Sequence, residues 1–555
     1  MTVDAVSVEV LRNALQSAAE EMGKTLIRTA FSTNIKDRLD ASAAVYTPEG
    51  DLVAQAEHIP LHLGLMPSVV REVLKIHPPE TLHPGYALLI NDPYISGSHL
   101  PDIFLITPVF FEDRLVAIVS NIAHHVDVGG LAPGSMSVKA TEIFQEGLRI
   151  PGVKLIKQGE IDPDMLRLIQ VNVRTSSVTL GDLYAQMAAN NVGGKRIIEM
   201  IEKYGHDHVQ ACMQAILDYS ERRMRHALAE VPVGSYTFTD YLEGDGVEEY
   251  DIPIHVNIHV DGEEVTLDFT GTSPQTKGPV NSTLGVTKAC AYYAIKAMCD
   301  PDIPTNAGAF RVIHVKAPSG TVVNPDFPAP VSNANINTAQ RIADTILGAL
   351  ADVLPHRAIA ACSGTMNNFT IGGYDKESRE YFSYVETYGG GQGGMRGLDG
   401  MDGVHTNMTN TLNTPSEVME QSFPFRVERY GFAEGTGGAG EFSAGMGLVR
   451  EIVIEADDVT VSLSTERRQR APWGLFGGMP GGKSECWLVE PNGEKHLLPS
   501  KSTLTVHTGS RIILKTSGGG GYGDPSKRSA ERIQQDVDHG RITQEQAKQW
   551  YGWSE

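Results

Sequence analysis

Histidines and carboxylates cluster in one short stretch of this chain, on two turns that contain glycine and proline. Hard or borderline divalent metals bind such a mixture of imidazole nitrogens and carboxylate oxygens. A structural core rarely contains it, because each buried polar group needs a partner of its own. The stretch therefore predicts a metal site. The candidate ligands are Asp92, His99, Asp102, His124, His125 and Asp127.

The local geometry limits which of these side chains act together. Pro101 fixes its own φ and keeps the residue before it out of the helical region, so His99 and Asp102 lie on an extended turn. His124 and His125 follow an apolar, β-branched segment that predicts a strand. Successive strand side chains point to opposite faces. Only one of these two histidines therefore faces the same centre as His99, and the spacing leaves open which one.

Elements that position these residues follow from the hydrophobic pattern. Apolar residues recur at helical spacing over residues 6–31, which predicts one long amphipathic helix. Residues 43–46 and 52–54 flank a turn and predict a hairpin. Apolar runs at 86–90 and 115–122 predict buried strands that end at the two metal-candidate turns. Further predicted helices span residues 66–76, 164–173, 181–228, 285–298 and 338–354.

The chain is predicted to be α+β with several subdomains, because helices and strands are segregated and lack regular βαβ alternation. An N-terminal helix and a mixed sheet form the metal-binding region, and a β-rich, glycine-rich region and C-terminal helices follow. The predicted parts are residues 1–230 (metal-binding), 231–360 (middle α+β), 361–525 (glycine-rich β) and 526–555 (helical tail).

Composition excludes several classes of partner. The chain has 555 residues and a net charge of −22, with 68 acidic against 46 basic residues. Nucleic acid binding needs clustered Lys and Arg, which are absent, so no nucleic-acid partner is expected. No apolar run approaches the roughly 20 residues that span a bilayer, and no basic leader precedes the first helix. Five scattered cysteines without a CxxC pair indicate reduced thiols. We expect a cytoplasmic protein without a membrane partner.

Two glycine-rich runs, residues 389–394 and 518–523, invite a nucleotide-binding interpretation. Neither matches GxxxxGK[ST], and neither is a GxGxxG turn between a clear strand and helix. Tight bends and close backbone approach are the commoner use of such runs. The sequence therefore predicts no ATP site of its own.

Long motifs spread along the chain resemble the hydantoinase B/oxoprolinase family over essentially the whole length. One departure is Asp40-Ala41-Ser42, where many relatives have Phe in the middle. The motifs are residues 40–42, 55–64, 91–102, 124–130, 145–151, 278–281, 303–308, 399–403 and 518–525.

The resemblance implies a ligand set for a divalent metal. By motif, the ligands are Asp40, His99, Asp102 and His124, with His124 preferred because the family pattern often has an aromatic residue in the next position. Zinc is the expected ion, with manganese or iron as alternatives. Asp127 or Glu146 is assigned as general base or as a residue that orients a ligand.

The resemblance also implies an activity shared with a second chain. A separate A-type subunit would bind ATP and Mg²⁺, in an α2β2 heterotetramer. The partner would phosphorylate the oxygen of a cyclic amide, and water activated by the metal would then open the ring. Caprolactam or a hydantoin is the expected substrate. The alternatives are 5-oxoprolinase, a subunit of an ATP-dependent acetone or acetophenone carboxylase, and a scaffold with a structural metal.

Overall fold

The computed structural model describes residues 3–56, 58–375 and 378–553. Within them it contains twelve α-helices and four β-sheets. Helices and strands are segregated along much of the chain, which confirms the predicted α+β class. None of the described helices is long and apolar enough to cross a membrane. All five cysteines are free and buried.

The first sheet is antiparallel and holds seven strands in the order β2-β1-β5-β4-β3-β6-β7. Its hairpin and its two buried strands were predicted. The fourth strand was not, because Pro108 and the turn signals before it obscure the pattern. The strands are β1 (Ala41–Tyr46), β2 (Leu52–Gln55), β3 (Ala87–Ile90), β4 (Asp102–Phe111), β5 (Arg114–His124), β6 (Pro151–Lys157) and β7 (Glu160–Ile161).

Helices cover both faces of this sheet. The long first helix is confirmed, and the Asp4 carboxylate caps it by accepting hydrogen bonds from the Val6 and Ser7 amides. The helix predicted over 181–228 is two helices, because the chain breaks at Gly205, whose φ is +84°. The helices are α1 (Ala5–Thr29), α2 (Thr33–Lys36), α3 (Pro60–Ile76), α4 (Pro93–Ser96), α5 (Pro163–Asn172), α6 (Ser176–Tyr204) and α7 (His206–Ala229).

A four-stranded sheet and two helices follow. In β9 every second residue is buried, which brings Ile252, Ile254, Val256 and Ile258 onto the face that packs against α9. One π-helical turn, Ala334–Thr338, leads into α9. The elements are β8 (Gly234–Glu243), β9 (Asp251–Asp261), β10 (Glu264–Asp268), β11 (Ile313–Lys316), α8 (Leu284–Cys299) and α9 (Ala339–Leu350).

The remaining strands form two sheets that share one core, in the orders β13-β12-β16-β19 and β14-β15-β20-β17-β18. Two short helices end the chain. The strands are β12 (Asn368–Asp375), β13 (Glu380–Thr387), β14 (Phe425–Ala433), β15 (Gly447–Ile454), β16 (Val459–Ser464), β17 (Glu485–Val489), β18 (Lys495–Leu497), β19 (Lys501–Val506) and β20 (Arg511–Lys515). The helices are α10 (Ser416–Ser422), α11 (Ala530–Asp538) and α12 (Gln544–Tyr551).

The glycine-rich runs lie beside these two sheets, where main chain packs against main chain. A Cβ placed on Gly393 would lie 1.9 Å from the Ala360 carbonyl oxygen. One on Gly519 would lie 2.3 Å from the Gln392 carbonyl oxygen. The glycines therefore serve close backbone approach, as predicted.

Candidate metal centre

The candidate ligands meet because three neighbouring strands of the first sheet have their ends side by side. Asp40 directly precedes β1, Asp102 begins β4, and His124 ends β5. Strand β5 lies between β1 and β4 and is antiparallel to both, with Asp102 opposite His124. The His124 amide donates to the Asp40 carbonyl at 3.1 Å. Antiparallel pairing thus brings residues that are distant in sequence to one point.

His99, Asp102 and His124 form a tight buried group. The Nε2 of His99 lies 3.1 Å from the Nδ1 of His124 and 3.3 Å from the Oδ1 of Asp102. The Nδ1 of His124 lies 3.0 Å from the same Oδ1. All three residues are buried. One nitrogen or oxygen from each therefore faces a common point.

These separations fit a small divalent ion. Ligand atoms about 2.0–2.2 Å from a tetrahedral zinc ion lie about 3.3–3.6 Å from one another. The three donor atoms are already close to that spacing, and small adjustments would admit an ion between them. The other ring nitrogen of His124, Nε2, has no hydrogen-bond partner among the described residues. The donor types and their spacing fit zinc, with manganese or iron as chemically allowed alternatives.

Outer hydrogen bonds orient His99. Its Nδ1 lies 2.9 Å from the Ser332 carbonyl oxygen, to which it donates, so the lone pair is on Nε2, the nitrogen that faces the group. The Ser332 amide in turn donates to the Oε1 of Glu146 at 2.8 Å, and the Val331 amide does so at 2.9 Å. Glu146 therefore positions His99 through the backbone at Ser332.

Asp102 is held in the same way through its second oxygen. The Oδ2 of Asp102 accepts hydrogen bonds from the Ser98 hydroxyl and, at 3.1 Å, from the Asn335 amide. The Nε2 of His62 lies 3.7 Å from the same oxygen. Asn335 lies in the π-helical turn, a distortion that often marks a functional site. The Oδ1 oxygen is thus left to face the two histidines.

The charges within this group determine how readily His99 takes up a proton. Burial alone would lower the pKa of His99, but the charge and hydrogen bond of Asp102 raise that pKa above its ordinary value. Burial opposes the ionisation of Asp102, yet His99 and the neighbouring hydrogen bonds hold the Asp102 pKa well below its usual range. A histidine binds a metal ion through its neutral imidazole. Metal affinity should therefore fall as the pH drops and His99 takes up a proton.

Asp40 and His125, both sequence candidates, lie outside the tight group. Asp40 lines the same cavity as His99, but its carboxylate is not among the three donors that converge. The side chain of His125 faces α6, where its Nε2 lies 3.0 Å from the Oε1 of Gln186. The alternation of strand side chains thus separates His124 from His125, as predicted.

The Asp127 carboxylate forms its hydrogen bonds within a loop. Its two oxygens accept hydrogen bonds from the amides of Gly129, Gly134 and Arg174, and from the Arg174 guanidinium at 3.0 Å. It does not line the cavity beside the three donors. The structure therefore gives Asp127 a loop-stabilising environment rather than the position of a general base. Asp92 likewise caps α4, where it accepts from the Tyr94 amide at 3.1 Å.

The three donors line a cavity of about 40 Å³. Eight polar and six apolar residues line the rest of the cavity, and the apolar ones come from all three larger parts of the chain. Sequence reasoning missed this lining, because nothing in the local pattern marks residues so far apart as neighbours. The apolar lining residues are Ile59, Leu61, Met136, Ile336, Met366 and Val385.

Residues that support the donors were also missed. Ser332 and Asn335 lie more than two hundred positions from the donors they contact. The only sequence signal near Ser332 and Asn335 is a set of closely spaced asparagines before α9. His62 lies in one of the family motifs, which was a signal that the sequence did contain.

Glu146 provides a test of this arrangement through pH. Burial raises the pKa of Glu146 to about 7, so the folded chain holds a proton there that the unfolded chain releases near the ordinary value. The folded state then binds more protons between those two pKa values, and stability falls as the pH rises through that interval. Glutamine does not titrate. We therefore expect the free energy of unfolding of Glu146→Gln to fall by about 1–3 kcal/mol less than that of wild type over this interval.

The measurement is the free energy of unfolding of the metal-free chain at several pH values from 5 to 8. Comparing the two proteins cancels the contribution of the other titrating groups. Parallel curves for wild type and Glu146→Gln would contradict the assignment of a proton to this carboxyl.

Comparison with known proteins gives the site its context. The family model for hydantoinase B/oxoprolinase matches residues 4–525. The chain is 38% identical to 5-oxoprolinase 1 of Arabidopsis thaliana over 543 residues, which are 94% of this chain but 42% of that longer protein. It is 32% identical to caprolactamase subunit beta of Pseudomonas jessenii over 569 residues, 99% of this chain and 96% of that one.

The fold agrees with these relationships. A crystal structure of ATP-dependent caprolactamase from Pseudomonas jessenii superimposes with a TM-score of 0.92 at 29% identity, covering 100% of this chain and 96% of that one. Sequence and fold therefore agree over nearly the whole length. The chain belongs to the hydantoinase B/oxoprolinase family, as its motifs predicted.

Proposed function

We propose that this chain is the metal-bearing B-type subunit of an ATP-dependent hydrolase of cyclic amides. The observation that carries the proposal is the buried convergence of His99, Asp102 and His124 on one wall of a cavity, in a member of this family. Ring amides without strain resist hydrolysis. A site for them needs both an activated substrate and an activated water.

The residues of the chain divide this work. His99, Asp102 and His124 would hold the ion, and Asp40 on the same cavity is the further candidate ligand. Bound there, a divalent ion would supply water of lowered pKa and polarise the carbon–oxygen bond under attack. Glu146, through Ser332, keeps the His99 ring in the tautomer that binds the ion.

The cavity favours a small, largely apolar ring as substrate. Its Ile, Leu, Met and Val walls would bury methylene groups and exclude water from the reacting carbon. Caprolactam or a hydantoin has the matching chemistry, and 5-oxoproline is the alternative. The apolar lining residues support a ring with few charged substituents.

Activation requires a partner. The sequence has no phosphate-binding loop, and the glycine runs that resemble one are packed main chain against main chain. A relative of nearly equal length carries the name of a beta subunit. We therefore propose an A-type partner that binds ATP and Mg²⁺ and phosphorylates the amide oxygen, assembled as α2β2.

The test is reconstitution of this chain with its A-type partner and a panel of caprolactam, hydantoins and 5-oxoproline. We expect ring opening that depends on ATP, disappears after chelation of the metal and returns with added zinc. A parallel reaction with bicarbonate and acetone or acetophenone tests the carboxylase alternative.

Three outcomes would overturn the proposal. Ring opening at the full rate in metal-free complex would exclude the metal from the reaction. A product that forms only with bicarbonate and a ketone would assign the chain to a carboxylase. A lower melting temperature without metal, combined with no activity on any substrate, would favour a structural role for the ion.

A further inference from the structure

Four arginines are buried almost completely, with exposures of 1% or less: Arg38, Arg341, Arg450 and Arg467. Three of them have carboxylate partners. Arg341 lies 3.3 Å from Asp240, Arg467 lies 2.9 Å from Asp344, and Arg450 lies 4.0 Å from Glu386. These pairs follow the rule that a charge enters a protein interior only with a counter-charge. Arg38 is the exception within the described residues.

Arg38 contacts neutral acceptors only. Its Nη1 donates to the Val385 carbonyl at 2.6 Å and to the Asn34 side chain at 3.1 Å, and its Nη2 donates to the Thr387 hydroxyl at 2.9 Å. Its Nε has no hydrogen-bond partner among the residues that the structure describes. In the part of the chain that the structure describes, no carboxylate forms an ion pair with this guanidinium.

The position of Arg38 is also unusual, because it lines the same cavity as His99, Asp102 and His124. The neighbouring His405 adds no negative charge. Burial and the Arg38 charge lower the pKa of His405 to about 3, so the imidazole stays neutral. The cavity is thus lined by the metal-binding donors, by the Asp40 carboxylate and by a guanidinium that has no described carboxylate oxygen within 4.0 Å.

Burying an unpaired guanidinium is costly, and a bound anion removes that cost. A guanidinium also matches oxyanions in shape, because its planar N–H groups donate to two oxygens at once. We infer that Arg38 binds an oxyanionic group of the substrate in the cavity that it lines together with the His99–Asp102–His124 centre. The inference rests on the proposed function, because it assigns a substrate group to the same cavity.

Two groups of this chemistry are available in the proposed reaction. One is the phosphoryl group of a lactam activated by the partner, and the other is a carboxylate on the ring, as in 5-oxoproline. Both carry oxygens that accept two hydrogen bonds from one guanidinium. The test has an arm for each.

The rival interpretation is that Arg38 only joins the N-terminal region to β13. The hydrogen bonds to Val385 and Thr387 do make that connection. A matched control separates the two roles. Thr387→Val removes one of these hydrogen bonds but keeps the charge, so it should lower stability without changing anion binding.

The experiment is equilibrium dialysis of the full, metal-loaded chain with three probes: orthophosphate, 5-oxoproline and 2-pyrrolidinone, which is the same ring without the carboxylate. The proteins are wild type, Arg38→Met, Arg38→Lys and Thr387→Val, matched for metal content. We expect Arg38→Met to weaken binding of at least one anion by about tenfold or more. Binding of 2-pyrrolidinone should change by less than about twofold.

Selective loss of orthophosphate binding identifies the phosphoryl group, and selective loss of 5-oxoproline binding identifies the ring carboxylate. Unchanged anion affinity in folded Arg38→Met, or no anion binding by wild type, overturns the inference. If Arg38→Met does not fold, Arg38→Lys decides. It keeps the charge but loses the planar fork, so anion affinity should fall by about threefold or more relative to Thr387→Val.

Turnover is not a readout of this experiment. If the reconstituted complex opens no ring, the proposed function fails while an Arg38-dependent anion affinity would stand. If rings are opened but anion binding ignores Arg38, the inference fails and the proposed function stands.

Discussion

Replacing His124 by alanine is expected to remove the bound metal and to lower the rate of ring opening by at least about 10³-fold, whereas His125→Ala keeps the metal. The reason is the alternation of side chains at the end of β5. The Nδ1 of His124 faces the Nε2 of His99 at 3.1 Å, while His125 faces Gln186 on α6. Adjacent residues of one type thus serve as test and control.

Metal content by mass spectrometry, ATP-dependent ring opening in the reconstituted complex and thermal melting together measure the effect. His125→Ala should melt at a lower temperature, because it leaves the Gln186 amide oxygen without its buried partner, at a cost of about 1–3 kcal/mol. The assignment fails if His125→Ala loses the metal while His124→Ala retains it. Equal metal loss in both variants would point to general unfolding, which the melting curves would reveal.

The choice between these two histidines shows how far the sequence leads. Alternation along a strand predicted that only one of them faces His99. Which one depends on the register of β5 against β4, where Asp102 lies opposite His124. Strand β4 was not predicted, because Pro108 lies within it and its edge is masked by the preceding turn. Local pattern therefore indicated that one of the two histidines faces His99, but it did not identify which one.

Long-range pairing explains the rest of what was missed. Asp40 reaches the cavity only because β1 pairs with β5, and no local signal connects the two strands. Ser332 and Asn335 support the donors from the start of α9, across more than two hundred residues. The family motifs offered Asp40 and Glu146 as candidates although no local signal connects either residue to His99. Hydrophobic periodicity, in contrast, reports only which face of an element is buried.

The site is assembled from three parts of the chain, which accounts for its dependence on the whole fold. The first sheet and the turn before β4 supply the candidate metal donors, and the segment before α9 supplies the groups that orient them. Strand β13 and the loop before β12 supply part of the apolar wall through Val385 and Met366. A change that loosens the glycine-rich region should therefore disturb the cavity as well as the local packing.

Gly445→Ala is the second substitution with a large expected effect. Its Cβ would lie 1.8 Å from the Met401 carbonyl oxygen, a separation that no real Cβ shows. That carbonyl cannot move away freely, because it accepts a hydrogen bond from the Gln392 amide at 3.0 Å. We expect the free energy of unfolding to fall by at least about 3 kcal/mol. The melting temperature would then be about 5–10 °C lower, or the protein would be insoluble.

Gly431→Ala is the matched control, because both glycines have a backbone conformation open to any residue and differ in the space around them. Nothing lies within 4 Å of a Cβ at Gly431, in strand β14. Alanine there should be neutral or stabilise by about 0.5–1 kcal/mol, since glycine weakens a strand interior. Melting curves and metal content of the two variants make the comparison. If Gly445→Ala melts like Gly431→Ala, the main chain at Met401 does not lie as close to Gly445 as the structure places it.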